Sequence, residues 1–137
     1  MKIYKNEVAV IADLHLGVHQ SNNMWHEINL SYAKWLKQTL NEKNIKDIII
    51  LGDVLDNRNE VLVTTLHVLY KFFEILEDFN IVIIIGNHDC YYSRRSEIHS
   101  LGTLSNWPNI TVFSGGPVTI NQFGKFLTFC PWNVSLD

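Results

Sequence analysis

From Val8 to Asp89, short unbroken apolar runs alternate with longer stretches in which apolar residues recur every three or four positions. The runs are Val8–Ala12, Ile48–Leu51 and Ile81–Ile85. They are too short for helices and apolar throughout, which predicts buried strands covered on both faces, the second starting at Asp47. Between the first two lies a polar loop, Gly17 to Asn23, and then Ile28, Tyr32, Trp35, Leu36 and Leu40 at helical spacing. That helix is predicted to end near Asn44, where Asn41, Lys43 and Asn44 break the pattern. Trp25 and Trp35 are expected to pack in the core. A second helix is predicted over Val61 to Phe79, with two apolar stripes and a polar face of His67, Lys71, Glu74 and Asp78.

Past Asp89 the pattern changes. Cys90 to Arg95 reads as a polar-aromatic loop, and Glu97 to Leu104 as a short helix. Ile110–Phe113, Val118–Ile120 and Phe126–Cys130 read as short strands, punctuated by Gly115-Gly116-Pro117 and Asn121 to Gly124. They are expected to form an antiparallel meander that begins a second sheet.

Strand–helix alternation predicts parallel strands whose carboxyl ends share one sheet edge. Each of the three runs leads into polar residues at that edge: Asp13-Leu14-His15, Gly52-Asp53-Val54-Leu55-Asp56 and Gly86-Asn87-His88-Asp89. Asp, Asn and His suit hard or borderline divalent cations. Asp13 and His15, two positions apart in an extended segment, point the same way and can meet one ion. Gly52 permits a sharp turn, and the two oxygens of Asp53 can bridge two cations. Asp56, and Asp89 beside the third cluster, are placed to orient a ligand from behind. Asn87 offers a neutral oxygen, and His88 an imidazole for acid catalysis or for charge on a phosphoryl oxygen. Asp13 or Asp53 taken alone reads equally as a cap or turn residue; three clusters at successive strand ends favour a metal centre.

Composition narrows this little. The 137 residues suit one domain, 47% hydrophobic and 18% charged, so a folded core is expected. A net charge of −3 advertises no overall basic field for nucleic acid, although bound cations supply positive charge locally. The N-terminus shows no signal core, and no apolar run approaches the ~20 residues that span a bilayer. Cys90 and Cys130 are expected to be free thiols in a reducing, cytoplasmic setting, with Cys90 a packing residue. His19, His26 and His67 are read as surface groups. Arg58, Arg94 and Arg95 flank the second and third clusters, equally suited to phosphate contacts and to ordinary surface charge.

The order D-x-H, G-D-x-x-D, G-N-H-D resembles the calcineurin-like metallophosphoesterases. More narrowly, Asp13-Leu14-His15-Leu16-Gly17, Asp56-Asn57-Arg58, Tyr91-Tyr92 before Glu97 to Leu101, and Pro131-Trp132-Asn133 resemble the SbcD-type nuclease subunit and its bacteriophage recombination-endonuclease relatives. The resemblance implies an α/β metallophosphoesterase fold, a two-sheet β core flanked by helices. It implies two divalent metal ions, usually Mn2+: Asp13 and His15 on the first, Asp53 bridging, Asn87 on the second, and His88 over the scissile phosphate. It further implies a DNA substrate, an SbcC-type ATPase partner, a homodimer, and host-cell cytoplasm for a phage protein. Such proteins carry more histidine ligands downstream, and none follows His99 here. Residues 1–137 are therefore expected to be the N-terminal portion of one nuclease domain, with an incomplete second metal site and an exposed edge at Phe126–Cys130. Two rival functions stay open: a phosphatase or small-molecule phosphodiesterase, and a non-catalytic remnant or binding module.

Overall fold

The computed structural model describes residues 7–92, 95–122 and 125–133. Strands β1 (Ala9–Ile11), β2 (Asp47–Ile50), β3 (Asn80–Ile84) and β6 (Ile110–Phe113) form one sheet in the order β1-β2-β3-β6, all parallel. The three apolar runs thus become three neighbouring strands whose carboxyl ends lie at one edge. Helix α2 (Asn23–Glu42) joins β1 to β2, and α3 (Val63–Ile75) joins β2 to β3.

Local chemistry fixes the ends of α2. The side chain of Asn22 accepts from the Met24 N–H at 2.9 Å, an N-cap that satisfies one of the free amides of the first turn. At the other end Asn44 takes a left-handed φ of 57°, and the Ile45 N–H reaches back to the Leu40 carbonyl at 2.9 Å. The inner stripe of α2 is His26, Ala33, Leu36 and Leu40; that of α3 includes Val68, Leu69, Phe72 and Phe73. Both helices pack in one apolar cluster with Ile48, Ile50, Ile81 and Ile83 of the sheet. Burying each Val, Leu, Ile or Phe side chain among these contributes about 1.5–3 kcal/mol.

The opposite face is covered differently. Strands β7 (Val118–Gln122) and β8 (Lys125–Phe129) form an antiparallel hairpin. Phe129 and Ile120 pack there against Ile49, Val82, Ile84 and Phe113. Cover is incomplete: Val10 of β1 is exposed, and Phe126 of β8 is 74% exposed. Of the strand expected to be an open edge, Phe126 and Leu127 are exposed, whereas Phe129 is buried against the sheet.

Several expectations change. Ile110–Phe113 is a fourth parallel strand, not part of an antiparallel meander; its alternating sequence fits either setting, and the open edge of β3 takes it. Glu97–Leu104 is not a helix. Arg95–His99 is strand β5, paired antiparallel with β4 (Cys90–Tyr92), and a short 3-10 helix follows over Gly102–Asn106. α3 is shorter than predicted, although Leu76 and Phe79 beyond it stay buried. Within the predicted polar loop, α1 (Val18–Ser21) is a single turn whose His19 and Gln20 are left-handed. Trp35 and Ile28 lie on the solvent side of α2, whereas His26, read as a surface group, is buried. The apolar residues of α2 cover more than one face, and only the Ala33–Leu36–Leu40 side meets the sheet.

Candidate metal centre

The loops leaving β1 and β2 are laced together by their backbones. The N–H groups of Asp13, His15 and Leu16 donate to the carbonyls of Gly52, Asp53 and Val54 at 3.3, 3.0 and 2.8 Å, and the Asp56 N–H returns to Leu16 O at 3.0 Å. Asp13, His15 and Asp53 all hold left-handed φ values, 55°, 44° and 52°. The first segment is therefore not extended as predicted. Each such residue costs on the order of 1–3 kcal/mol, sustained here by the cross-loop bonds. The side chains still meet: His15 Nε2 lies 3.9 Å from Asp13 Oδ1 and 4.0 Å from Asp53 Oδ2.

The third loop closes on the second through two carboxylates. Asp53 Oδ1 accepts the His88 N–H at 2.9 Å. Asp89, fully buried, accepts three backbone N–H bonds: Val54 at 3.0 Å and Leu55 at 3.1 Å on Oδ1, and Gly86 at 2.9 Å on Oδ2. Burial pushes its carboxyl above the ordinary aspartate range, against the pull of the N–H donors. Glycine is needed where these loops touch. Gly52 has φ +86°, and a Cβ there would lie 2.7 Å from the backbone of Gly86; a Cβ on Gly86 would overlap the Asp53 carboxylate. The sequence shows Gly86 as the first residue of the third cluster, but nothing in it marks the close packing against Asp53.

Asp56 sits behind the two imidazoles. Its carbonyl lies 2.6 Å from His88 Nδ1, and its Oδ1 lies 3.2 Å from His15 Nδ1. The latter pair is not aligned as a hydrogen bond. The two rings meet edge to face, centroids 4.9 Å apart.

Among the described residues two sets of donor atoms lie within 4.8 Å of one another: Asp13, His15 and Asp53, and His15, Asp56 and His88. The first has two carboxylates and an imidazole and suits a divalent cation in donor type. In the second, the Nδ1 atom of His88 is already held by Asp56, so it reads as support for the rings. Asn87 lies half-buried on the loop between Gly86 and His88. Arg58 is half-buried, Arg95 is exposed on β5, and Arg94 lies outside the described residues. Cys90 is fully buried among apolar groups, the packing role expected of it, and Cys130 is exposed.

A sequence model of the calcineurin-like phosphoesterases matches residues 7–134, and the chain belongs to that family. It is 27% identical over 104 residues to protein R555 of Acanthamoeba polyphaga mimivirus, covering 73% of this chain and 8% of that protein. It is 27% identical over 101 residues to the DNA polymerase II small subunit of Methanothermobacter thermautotrophicus, covering 60% of this chain and 20% of that one. Among solved structures it resembles the Pseudomonas putida nuclease MPE, with a TM-score of 0.52 and 24% identity over 77% of this chain and 46% of that one. The chain thus spans less than half the length of each of these relatives. At that identity the likeness to the nuclease concerns the fold. Among the described residues no helix is long and apolar enough to cross a membrane.

Proposed function

We propose that this chain is the metal-binding part of a phosphodiester hydrolase acting on DNA in recombination and break repair. One observation carries the reading: the donor atoms of Asp13, His15 and Asp53 converge beside the His88 ring. Asp13, His15 and Asp53 would hold one divalent ion, of which Mn2+ is our choice, and Asp53 with Asn87 a second, less well furnished one. Bound there, the metal would lower the pKa of a water and neutralise charge on the phosphoryl group. The chain's own residues do the positioning. A carbonyl only accepts, so His88 Nδ1 carries its proton toward Asp56 O. That leaves Nε2 for the substrate, where the imidazolium form donates to a phosphoryl or leaving oxygen. DNA as substrate, an SbcC-type ATPase partner and a homodimer extend the same reading, supported by the flanking sequence resemblance and by the nuclease-like fold.

A non-catalytic binding module is the second reading. It is favoured by the single well-furnished donor set among the described residues. The test is Mn2+-dependent hydrolysis of linear DNA, of 4-nitrophenyl phosphate and of the diester bis(4-nitrophenyl) phosphate, with Asp53→Ala and His88→Ala as controls. For an active chain, His88→Ala should lower turnover by roughly 10²–10⁴-fold while metal stays bound. Metal and DNA binding without hydrolysis would favour the module; hydrolysis of that small diester alone would favour a small-molecule phosphodiesterase, and of 4-nitrophenyl phosphate alone a phosphatase.

A further inference from the structure

The β4–β5 hairpin begins at the residue after Asp89 and is rooted in the metal loops. The Asp89 carbonyl accepts from the Ser100 N–H at 2.9 Å, so one residue ties both ends of the hairpin to the site. Cys90 on β4, and Leu101 just after β5, are fully buried beneath it. Its outer part is different. Tyr91 is 48% and Tyr92 40% exposed, and Ile98 is exposed as well. Adjacent residues of a regular strand face opposite sides. Here the register with β5 shifts between Cys90 and Tyr92, and both rings reach solvent edge to face, 4.9 Å apart. Irregularities of this kind re-aim side chains and are common beside active sites. Opposite Tyr92 stands Arg95, its guanidinium 4.5 Å over the Tyr92 ring. That contact pre-orders a cation on an aromatic surface.

Exposed aromatic rings beside a pre-ordered arginine, attached to a phosphodiester site, match an unpaired nucleotide. A base offers a π face to an aromatic ring, and its phosphate accepts from a guanidinium. A base inside a duplex has both faces stacked and offers no free π face, although its phosphate stays exposed. We propose that the hairpin is a stacking platform: Tyr91 takes an unpaired base of the strand at the metal centre, and Arg95 takes the adjoining phosphate. The inference rests on the reading of that centre as a DNA site and adds its substrate form, a single-stranded or frayed end.

The experiment is fluorescence anisotropy with a labelled oligothymidylate and with a blunt duplex of equal length, on the wild-type chain, Tyr91→Ala, Tyr91→Phe and Arg95→Ala. Tyr91→Ala should weaken single-strand binding roughly tenfold and leave duplex binding little changed, while Tyr91→Phe keeps wild-type affinity. Arg95→Ala should reduce the dependence on log salt by about one phosphate contact. A 2-aminopurine in the oligonucleotide should be quenched by wild type and Tyr91→Phe but not by Tyr91→Ala. Tyr91 is exposed, and circular dichroism melts will show that its variants fold. Wild-type binding of single strands that Tyr91→Ala leaves unchanged would overturn the platform alone. A wild-type chain that binds no DNA would overturn the DNA reading and the platform with it.

Discussion

The backbone N–H of His88 donates to Asp53 Oδ1 at 2.9 Å, across 35 positions of sequence. The other oxygen of the same carboxylate faces His15 Nε2 at 4.0 Å. One side chain therefore spans the ends of three strands and is at once a candidate ligand and a strut. Asp53→Ala removes both roles and should weaken Mn2+ binding by more than the ~10–100-fold usual for an outer partner. Asn87→Ala should touch only the weaker site. Isothermal titration distinguishes them, and equal affinity in wild type and Asp53→Ala would rule out Asp53 as a ligand.

Asp89 makes a separate prediction, about stability. Its carboxylate satisfies the N–H groups of Val54 and Leu55 away from water, and that of Gly86 in a half-buried turn. Asp89→Ala leaves those donors buried and unpaired, at about 1–3 kcal/mol for each that finds no water. The expected total is about 3 kcal/mol or more, read as a fall in the urea midpoint. Asp89→Asn should lose less, because its amide oxygen can still accept. A loss under about 1 kcal/mol for Asp89→Ala would mean that solvent reaches these amides.

The contrast between Asp53 and Asp89 shows how far the sequence could be read. Runs such as Ile81–Ile85 set three strands, and the alternation with helices set their common edge, so the meeting of Asp13, Asp53 and His88 followed from topology. Residue types did not reveal which polar group would face outward. Asp89, expected to orient a ligand from behind, is instead aimed by the turn after β3 at backbone amides. Nor does composition show that Asp13, His15 and Asp53 adopt left-handed φ, since that conformation is imposed by the bonds between loops. Beyond Asp89 the segments are short and mixed. Arg95–His99 became a strand because β4 needed a partner, and Ile110–Phe113 joined the parallel sheet because β3 had a free edge. Neither cause is local.

Gly86 supplies a test of how tightly the loops are packed. Its missing side chain makes room for the Asp53 carboxylate, whereas Gly102, in the 3-10 helix, has nothing within 4 Å of where a Cβ would stand. Gly86→Ala should lower the melting temperature and abolish the further rise expected of Mn2+ on the wild type. Gly102→Ala should keep that rise. The same Mn2+-induced shift in both variants would show that the second and third loops can part without loss of the metal.

His99 predicts a pH dependence. It stands opposite Cys90 in the hairpin, and its Nδ1 has no hydrogen-bond partner among the described residues. Burial holds its pKa below the ordinary histidine value of 6.5. The unfolded chain then takes up this proton at a higher pH than the folded one. Stability rises with pH wherever the unfolded state binds more protons. The contribution is therefore complete above about pH 6.5 and is lost as the pH falls through the lower folded value. His99→Gln removes the titrating group and should flatten that part of the curve. Urea midpoints for wild type and variant between about pH 7.5 and pH 5 provide the measurement. Other histidines titrate in both proteins, so the difference between the two slopes is what counts. Parallel curves would show that the hairpin admits a charged His99 without cost.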